Sequence, residues 1–314
     1  MATNIGDYDH WISSNPEVGR RVHEVVIDAL EDAGIAYDQV AVRIKDRASF
    51  LAKVRNPNYP DYVDFDSAYD IIGVRIITYH SSEIPQLLDV IRDLFDIDTI
   101  IDKAAETARA GHFGYASKHV IVRAEQLGGM HMEIQLRTVL QHAWAEFEHD
   151  IRYKNSTREL NPEVHRSFTL AAGLIELADQ QFDKITQIIN SETEDSPADE
   201  LTSAGLPAEL SAILGPDYPT SKVDYYAWAL DMLAAHGVTT PAELRDLMSQ
   251  ENIRALTQAM DYPYRPGQVR LVDDMLLYKY GRDHIRRTVH IGDNITSRPG
   301  RLGNRWQKLG QKTL

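Results

Sequence analysis

Residues 70–79 read DIIGVRIITY, ten positions that are nearly all apolar and rich in β-branched side chains. The run is too short to cross a membrane, and its composition fits a pleated, packed surface, so it predicts a central strand buried on both faces of a sheet. A strand of that kind needs layers above and below it, which few architectures supply. It also carries two charges that must be accounted for. Asp70 opens it and Arg75 stands in its middle, and a guanidinium placed there has to meet an acid, a phosphate or an aromatic plane.

The flanking sequence supplies the layers. Residues 18–34 predict a helix, and 38–45 a strand in which Val40, Val42 and Ile44 alternate with Ala41, Arg43 and Lys45. A proline-interrupted loop, RNPNYPDYVD, follows. Residues 83–95 predict an amphipathic helix, DTIID a strand, 103–116 a glycine-containing loop, and 117–123 and 130–136 two strands joined through the turn LGG. This alternation is an α/β (α+β) pattern.

The stretch EIQLRTVLQHAWAEFEHDIRYK at 133–154 concentrates titratable groups. With 130–136 as a strand, Met130, Met132, Ile134 and Leu136 face one way and His131, Glu133, Gln135 and Arg137 the other. From Thr138 a helix puts Leu140, Ala143, Trp144, Phe147 and Ile151 on a packing face, and His142, Glu146, His149 and Tyr153 on a polar one. For single residues of that stripe an ordinary solvated face is the simpler reading. Glu133, among apolar neighbours, is the stronger functional candidate. Two acids on neighbouring strands, Asp70 and Glu133, suit a hard cation whose shell is completed by substrate phosphates. RIKDRASFLAK at 43–53 offers Arg43, Lys45, Ser49 and Lys53 for such phosphates.

Farther on the pattern turns helical. Residues 165–190 predict one long amphipathic helix with Phe168, Leu174, Ile175, Phe182, Ile185 and Ile189 near helical spacing. The polar, acidic SETEDSPADE predicts a domain boundary, giving units at 1–192, 193–280 and a basic tail at 281–314. Ser221 with Asp224, and Thr240 with Pro241 and Glu243, read as helix N-caps. The tail has eight Lys or Arg against two Asp, a net of +6, and reads as a solvated, partly disordered terminus. The whole chain is −14, which argues against broad nucleic-acid binding. Without cysteine it has no disulfide or thiolate chemistry. With neither a leader-like start nor a span-length apolar run, the expectation is a cytoplasmic protein.

RIKDRASFLAK, DIIGVRI, GYASKH and EIQLRT…HAWAEFEHDIRYK, in this order and at these separations, resemble the synthetase domain of the RelA/SpoT family over about residues 20–190. Within it they resemble the small alarmone synthetases, which have no hydrolase domain. The resemblance implies a nucleotidyltransferase-like mixed five-stranded sheet flanked by helices, here followed by a mainly helical C-terminal region. It implies transfer of pyrophosphate from ATP to the 3′-hydroxyl of GDP or GTP, with GMP as a further acceptor, to make (p)ppGpp in the stringent response. By the same resemblance Arg43 and Arg75 sandwich the adenine, and Lys45, Ser49 and Lys53 hold ATP phosphates. Asp70 and Glu133 bind Mg²⁺, with Glu133 also the base for the attacking hydroxyl. Tyr115 stacks on the acceptor guanine beside His119. His142 and His149 are supports. A homo-oligomer is compatible with this.

One segment departs from the family. Relatives read Gly-Tyr-Arg-Ser, an apolar or aromatic residue and His, where this chain has Gly114, Tyr115, Ala116, Ser117, Lys118 and His119. TARAGHF lacks the lysine expected near the tyrosine, and Lys118, Arg109 or His112 is the substitute. The altered loop leaves open a toxin-like transfer to the tRNA 3′ end, which the charge of −14 opposes. A non-catalytic nucleotide sensor is a third reading, opposed by Asp70, Glu133 and Lys53 together. The His149–Asp150 dipeptide, which would suit a hydrolase, lacks the other ligands such a site needs.

Overall fold

The computed structural model describes residues 5–103, 117–124, 129–154, 161–192, 200–292 and 295–310. The chain divides into two compact units, residues 1–29 with 37–183 and residues 30–36 with 184–314. Among the described residues no helix is long and apolar enough to cross a membrane.

Helices α1 (Ile5–Ser14) and α2 (Val18–Ala33) precede β1 (Gln39–Ile44), α3 (Arg47–Val54), β2 (Ile72–Thr78) and α4 (Ile84–Leu94). Then come β3 (Asp96–Asp102), β4 (Lys118–Ala124), β5 (Met130–Thr138), α5 (Val139–Lys154) and α6 (Pro162–Glu192). The strands form one mixed five-stranded sheet in the order β1-β2-β5-β4-β3. β2 and β5 run parallel, and the other three pairings are antiparallel.

One face of this sheet is core. Ile72, Val74 and Ile76 of β2 line up with Met132, Ile134 and Leu136 of β5 and with Val120 and Val122 of β4, all at most 1% exposed. Each such side chain contributes about 1.5–3 kcal/mol by leaving water. The other face departs from the expectation of burial on both sides of β2. Gly73 and Arg75 are only half-buried, and that face closes again at Ile77. The gap is where the charged residues gather.

The packing face of α5 is narrower than its spacing predicts. Trp144 is buried, its ring centroid 5.4 Å from that of Phe168 on α6, whereas Phe147 is 54% exposed and Ala143 is exposed too. On α6, Phe168 and Ala172 are buried but Leu174, Phe182 and Ile185 are exposed. The 31 residues of this helix span about 46 Å, and the apolar cluster it shares with α5 covers only its first turns. The side chain of Ile189 is outside the described residues.

The second unit is helical: α7 (Leu206–Leu214), α8 (Val223–Ala234), α9 (Pro241–Leu247), α10 (Gln250–Met260), α11 (Gln268–Tyr280), α12 (Arg282–Thr288) and α13 (Arg298–Lys308). Thr240 makes the expected cap: its hydroxyl accepts from the Glu243 N–H while Glu243 accepts from the Thr240 N–H. Ser221 does not. Its Oγ donates to the Gly34 carbonyl at 2.6 Å and accepts from the Val269 N–H, and Lys222 takes the N-cap position of α8. A Cβ on Gly267 would lie 2.0 Å from the Gly34 carbonyl oxygen, so only glycine fits where these two backbones meet.

The basic tail is not a solvated terminus. It forms α12 and α13, with Leu302 and Leu309 buried. Arg298 and Arg305 reach Asp273 at 2.6 and 3.0 Å, and Arg305 also reaches Asp32 at 2.7 Å. Arg287 pairs with Asp283. Arg298 and Arg305 are therefore offset by acids outside the tail but in the same unit, a pairing that counting charge along the chain cannot reveal.

Candidate active site

The open face of the sheet collects the predicted residues by register. Arg43 on β1 lies opposite Gly73 on β2, which lies opposite Glu133 on β5. Arg75 lies opposite Gln135, and His119 on β4 lies opposite Gln135 from the other side. Alternation then puts Arg43, Arg75, Glu133, Gln135 and His119 on one face. Gly73 sits in the middle of that row without a side chain. A Cβ there would meet only the Arg43 carbonyl oxygen, at 3.7 Å, so the sheet is bare where a ligand could approach.

Asp70 stands just before β2, 9% exposed, and is held from three sides. Lys53 Nζ is 2.7 Å and Lys45 Nζ 3.1 Å from its Oδ2, and the Tyr62 hydroxyl donates to Oδ1 at 2.7 Å. The Lys45 N–H donates to the Ile71 carbonyl, which fixes Lys45 beside Asp70. Lys53 comes from α3, whose N-cap Asp46 accepts from the Ser49 N–H and hydroxyl. Ser49 therefore serves the cap in this state. Burial alone would raise the Asp70 carboxyl, but the bonds from Lys53 and Tyr62 and the charges of Lys45 and Lys53 outweigh it and hold it below the ordinary range.

Sequence reasoning missed the surroundings of Lys53. Its Nζ lies 4.8, 4.5 and 4.3 Å from the ring centroids of Tyr59, Tyr62 and Tyr69, an aromatic cage around an ammonium already bound to Asp70. Burial opposes the charge on Lys53, yet Asp70 raises its pKa and keeps it protonated. Three tyrosines within the loop 56–69 were the available signal.

Glu133 is the second centre. His119 Nδ1 is 2.9 Å from its Oε1, and Gln135 donates to its Oε2 at 2.8 Å, itself held by Arg137 at 2.6 Å. Burial pushes Glu133 up and the charge of Asp70 pushes the same way. The bonds and charge of His119 and the bond from Gln135 prevail, leaving it below the ordinary carboxylate range. An ionised carboxylate only accepts, so the His119 proton sits on Nδ1.

The remaining candidates divide. Arg75 meets an acid, Glu146 on α5, at 2.9 Å, and Arg43 is exposed. His142 lies near Arg75; burial first, then that charge, lower its pKa. Lys118 lies opposite Leu136, on the other face from His119, and pairs with Asp102 at 3.1 Å. Tyr115, Arg109 and His112 lie outside the described residues. No group of three or more His, Asp or Glu that could hold a metal exists among the described residues.

The residues gathered here are a lysine-clamped aspartate, a histidine-bound glutamate and a glycine that leaves the sheet bare. Residues 42–158 match the family model described as a region found in RelA / SpoT proteins. The matched residues lie within the first unit. More particularly, the chain is similar to GTP pyrophosphokinase YjbM of Bacillus subtilis, 30% identical over 131 residues, 40% of this chain and 61% of that relative. It is also similar to GTP pyrophosphokinase YwaC of the same organism, 31% identical over 107 residues, 32% of this chain and 48% of the relative. Among solved structures, the small alarmone synthetase 1 of Bacillus subtilis aligns with a TM-score of 0.49 at 22% identity, covering 59% of this chain and 99% of that one. The chain thus spans less than two thirds of the two curated relatives.

Proposed function

We propose that this protein transfers the pyrophosphate of ATP to the 3′-hydroxyl of GDP or GTP, giving (p)ppGpp. The observation that carries this is the Arg43–Gly73–Glu133 row beside the Lys45–Asp70–Lys53 cluster, within residues 42–158, which match the RelA/SpoT family model. Arg43 and Arg75 occupy diagonal positions on adjacent antiparallel strands, and the spacing of about 7–8 Å leaves room for one planar ring, the adenine. Lys45 and Lys53 would exchange Asp70 for ATP phosphates, with the Ser49 hydroxyl one helical turn before Lys53 available alongside them. Tyr115 would stack on the guanine with His119 near the acceptor ribose, and Lys118, set on the other face, would contribute at the loop end.

Asp70 and Glu133 fit a Mg²⁺ site of the kind completed by substrate phosphates, since this site offers two carboxylates and Asp70 becomes available as its lysines move to phosphate. When bound, that ion neutralises phosphate charge. The chain's own residues do the rest. Glu133, ionised at neutral pH and oriented by His119 and Gln135, accepts the proton of the 3′-hydroxyl as it attacks. Lysine and arginine charges stabilise the transferring group, which needs positioning more than covalent chemistry.

The test is incubation with γ-labelled ATP, Mg²⁺ and, in turn, GMP, GDP, GTP or tRNA. Label is expected on GDP or GTP, and Asp70→Asn and Glu133→Gln are expected to lower it about a hundredfold or more with the fold retained, the Asp70 variant melting at a lower temperature because Lys45 and Lys53 lose their buried partner. Near-normal turnover by either variant sinks the two-carboxylate site. Label on tRNA alone sinks the guanine nucleotide as acceptor.

A further inference from the structure

We propose that the second unit holds a separate binding site for a small oxyanion, inorganic phosphate or the phosphate of a monoester, in the cavity lined by α8, α11 and α13. The cavity measures about 80 Å³, with a stacked pair, Tyr225 and Trp228, on one wall, ring centroids 4.5 Å apart. A site for a whole nucleotide needs about 300 Å³ or more, whereas this one suits a phosphate-sized group or a few waters. Four arginines line it against two acids, Glu31 and Asp273.

Three of those arginines are occupied. Arg270 pairs with Asp274 and Asp32, Arg298 holds both oxygens of Asp273, and Arg305 bridges Asp273 and Asp32. Two donors are left over. The Nε–H of Arg305 is buried with no acceptor among the described residues. The guanidinium of Arg301, half-buried on the same helix as Arg305, has no hydrogen bond or ion pair to any described residue. A buried N–H without an acceptor is costly, and a positively charged fork beside it matches an oxyanion with two or more free lone pairs. The arginines exclude a cationic ligand from the aromatic wall, so that wall is left to receive the organic part of a monoester at the mouth. Ion pairing alone explains Arg298 and Arg305 as fasteners between helices, but it gives Arg301 nothing to do.

The experiment uses the full chain without nucleotide. Calorimetric titration and thermal melting with inorganic phosphate, at constant ionic strength held with chloride, are expected to show saturable binding at one site and a raised melting temperature. Arg301→Gln is expected to weaken that binding at least about tenfold without altering the melting curve in chloride, while Arg254→Gln on α10 leaves it unchanged. Trp228→Phe reports the same event by removing a phosphate-dependent change in tryptophan fluorescence. If Arg301→Gln fails to fold, Arg301→Lys replaces it and must also weaken binding. No saturable response, a response equally strong in the Arg301 variant and therefore arising elsewhere, or an equal response to adenosine, which has no phosphate, overturns the proposal.

Discussion

Tyr62 is 1% exposed and gives its hydroxyl to Asp70, so burial first and then that carboxylate raise its own pKa, and it remains a donor at any working pH. Tyr62→Phe keeps the ring over Lys53 and removes only the donor. The expected cost is about 1 kcal/mol of stability. Because the lost bond is one that lowers the Asp70 pKa, the acid limb of the kcat profile should move to higher pH, with kcat reduced about tenfold and KM little changed. An unmoved acid limb would show that Tyr62 is packing alone. The sequence singles out Asp70, Lys45 and Glu133 as charges in or beside apolar strands, and Lys53 as a basic residue of RIKDRASFLAK, and the structure brings Lys45 and Lys53 to Asp70. The cage was not legible there, since three tyrosines in a proline-rich loop look like any exposed loop until the chain folds over Lys53. Nor was the His119–Glu133 contact, which depends on the β4–β5 register and on rotamers that residue spacing does not fix.

At the scale of elements, the junction of α5 and α6 rests on Trp144 and Phe168, with Phe147 at its edge, 6.2 Å from the Phe168 ring. Trp144→Ala should cost about 3–5 kcal/mol, and Phe147→Ala, already largely in water, about 1 kcal/mol or less. Chemical denaturation of the two variants measures the contrast, and equal losses would mean that the exposed ring is as much core as the buried one. The strands at 39–44, 72–78, 118–124 and 130–138 were readable because alternation and β-branched runs report a pleated surface directly. Helical spacing on α6 was equally clear, yet it says which side chains share a face and not what covers them. The same limit explains Ser221, whose N-cap signature was outbid by a carbonyl, that of Gly34, far off in sequence.

Over the whole molecule, a charge of −14 conceals an arginine-rich interior in the second unit. A histidine chain leads out of it: His284 Nε2 is 2.9 Å from Asp273, and His236 Nε2 is 3.0 Å from His284 Nδ1. Burial, then the neighbouring His284 and Arg287 charges, lower His236 to about 4, with Asp283 opposing. A histidine whose folded pKa lies below its unfolded value near 6.5 leaves stability unaffected above 6.5, and stability is lost as pH falls from there toward about 4. The melting temperature should therefore drop across that window, and His236→Asn should flatten the drop. A wild-type profile level from pH 7 to 5 would contradict this. The tail that feeds this interior was misread from sequence because its partners lie outside it, Asp273 on the preceding helix and Asp32 far off along the chain, where only the fold brings them together.

The ring-lined seat of Lys53 has a consequence for chemical labelling. Acylating reagents attack the neutral amine, and an ammonium whose proton is retained by Asp70 and whose approaches are filled by three tyrosine faces is a poor nucleophile. Lys53 is therefore shielded from such reagents while it stays with Asp70, and its acylation reports that the residue has left its seat.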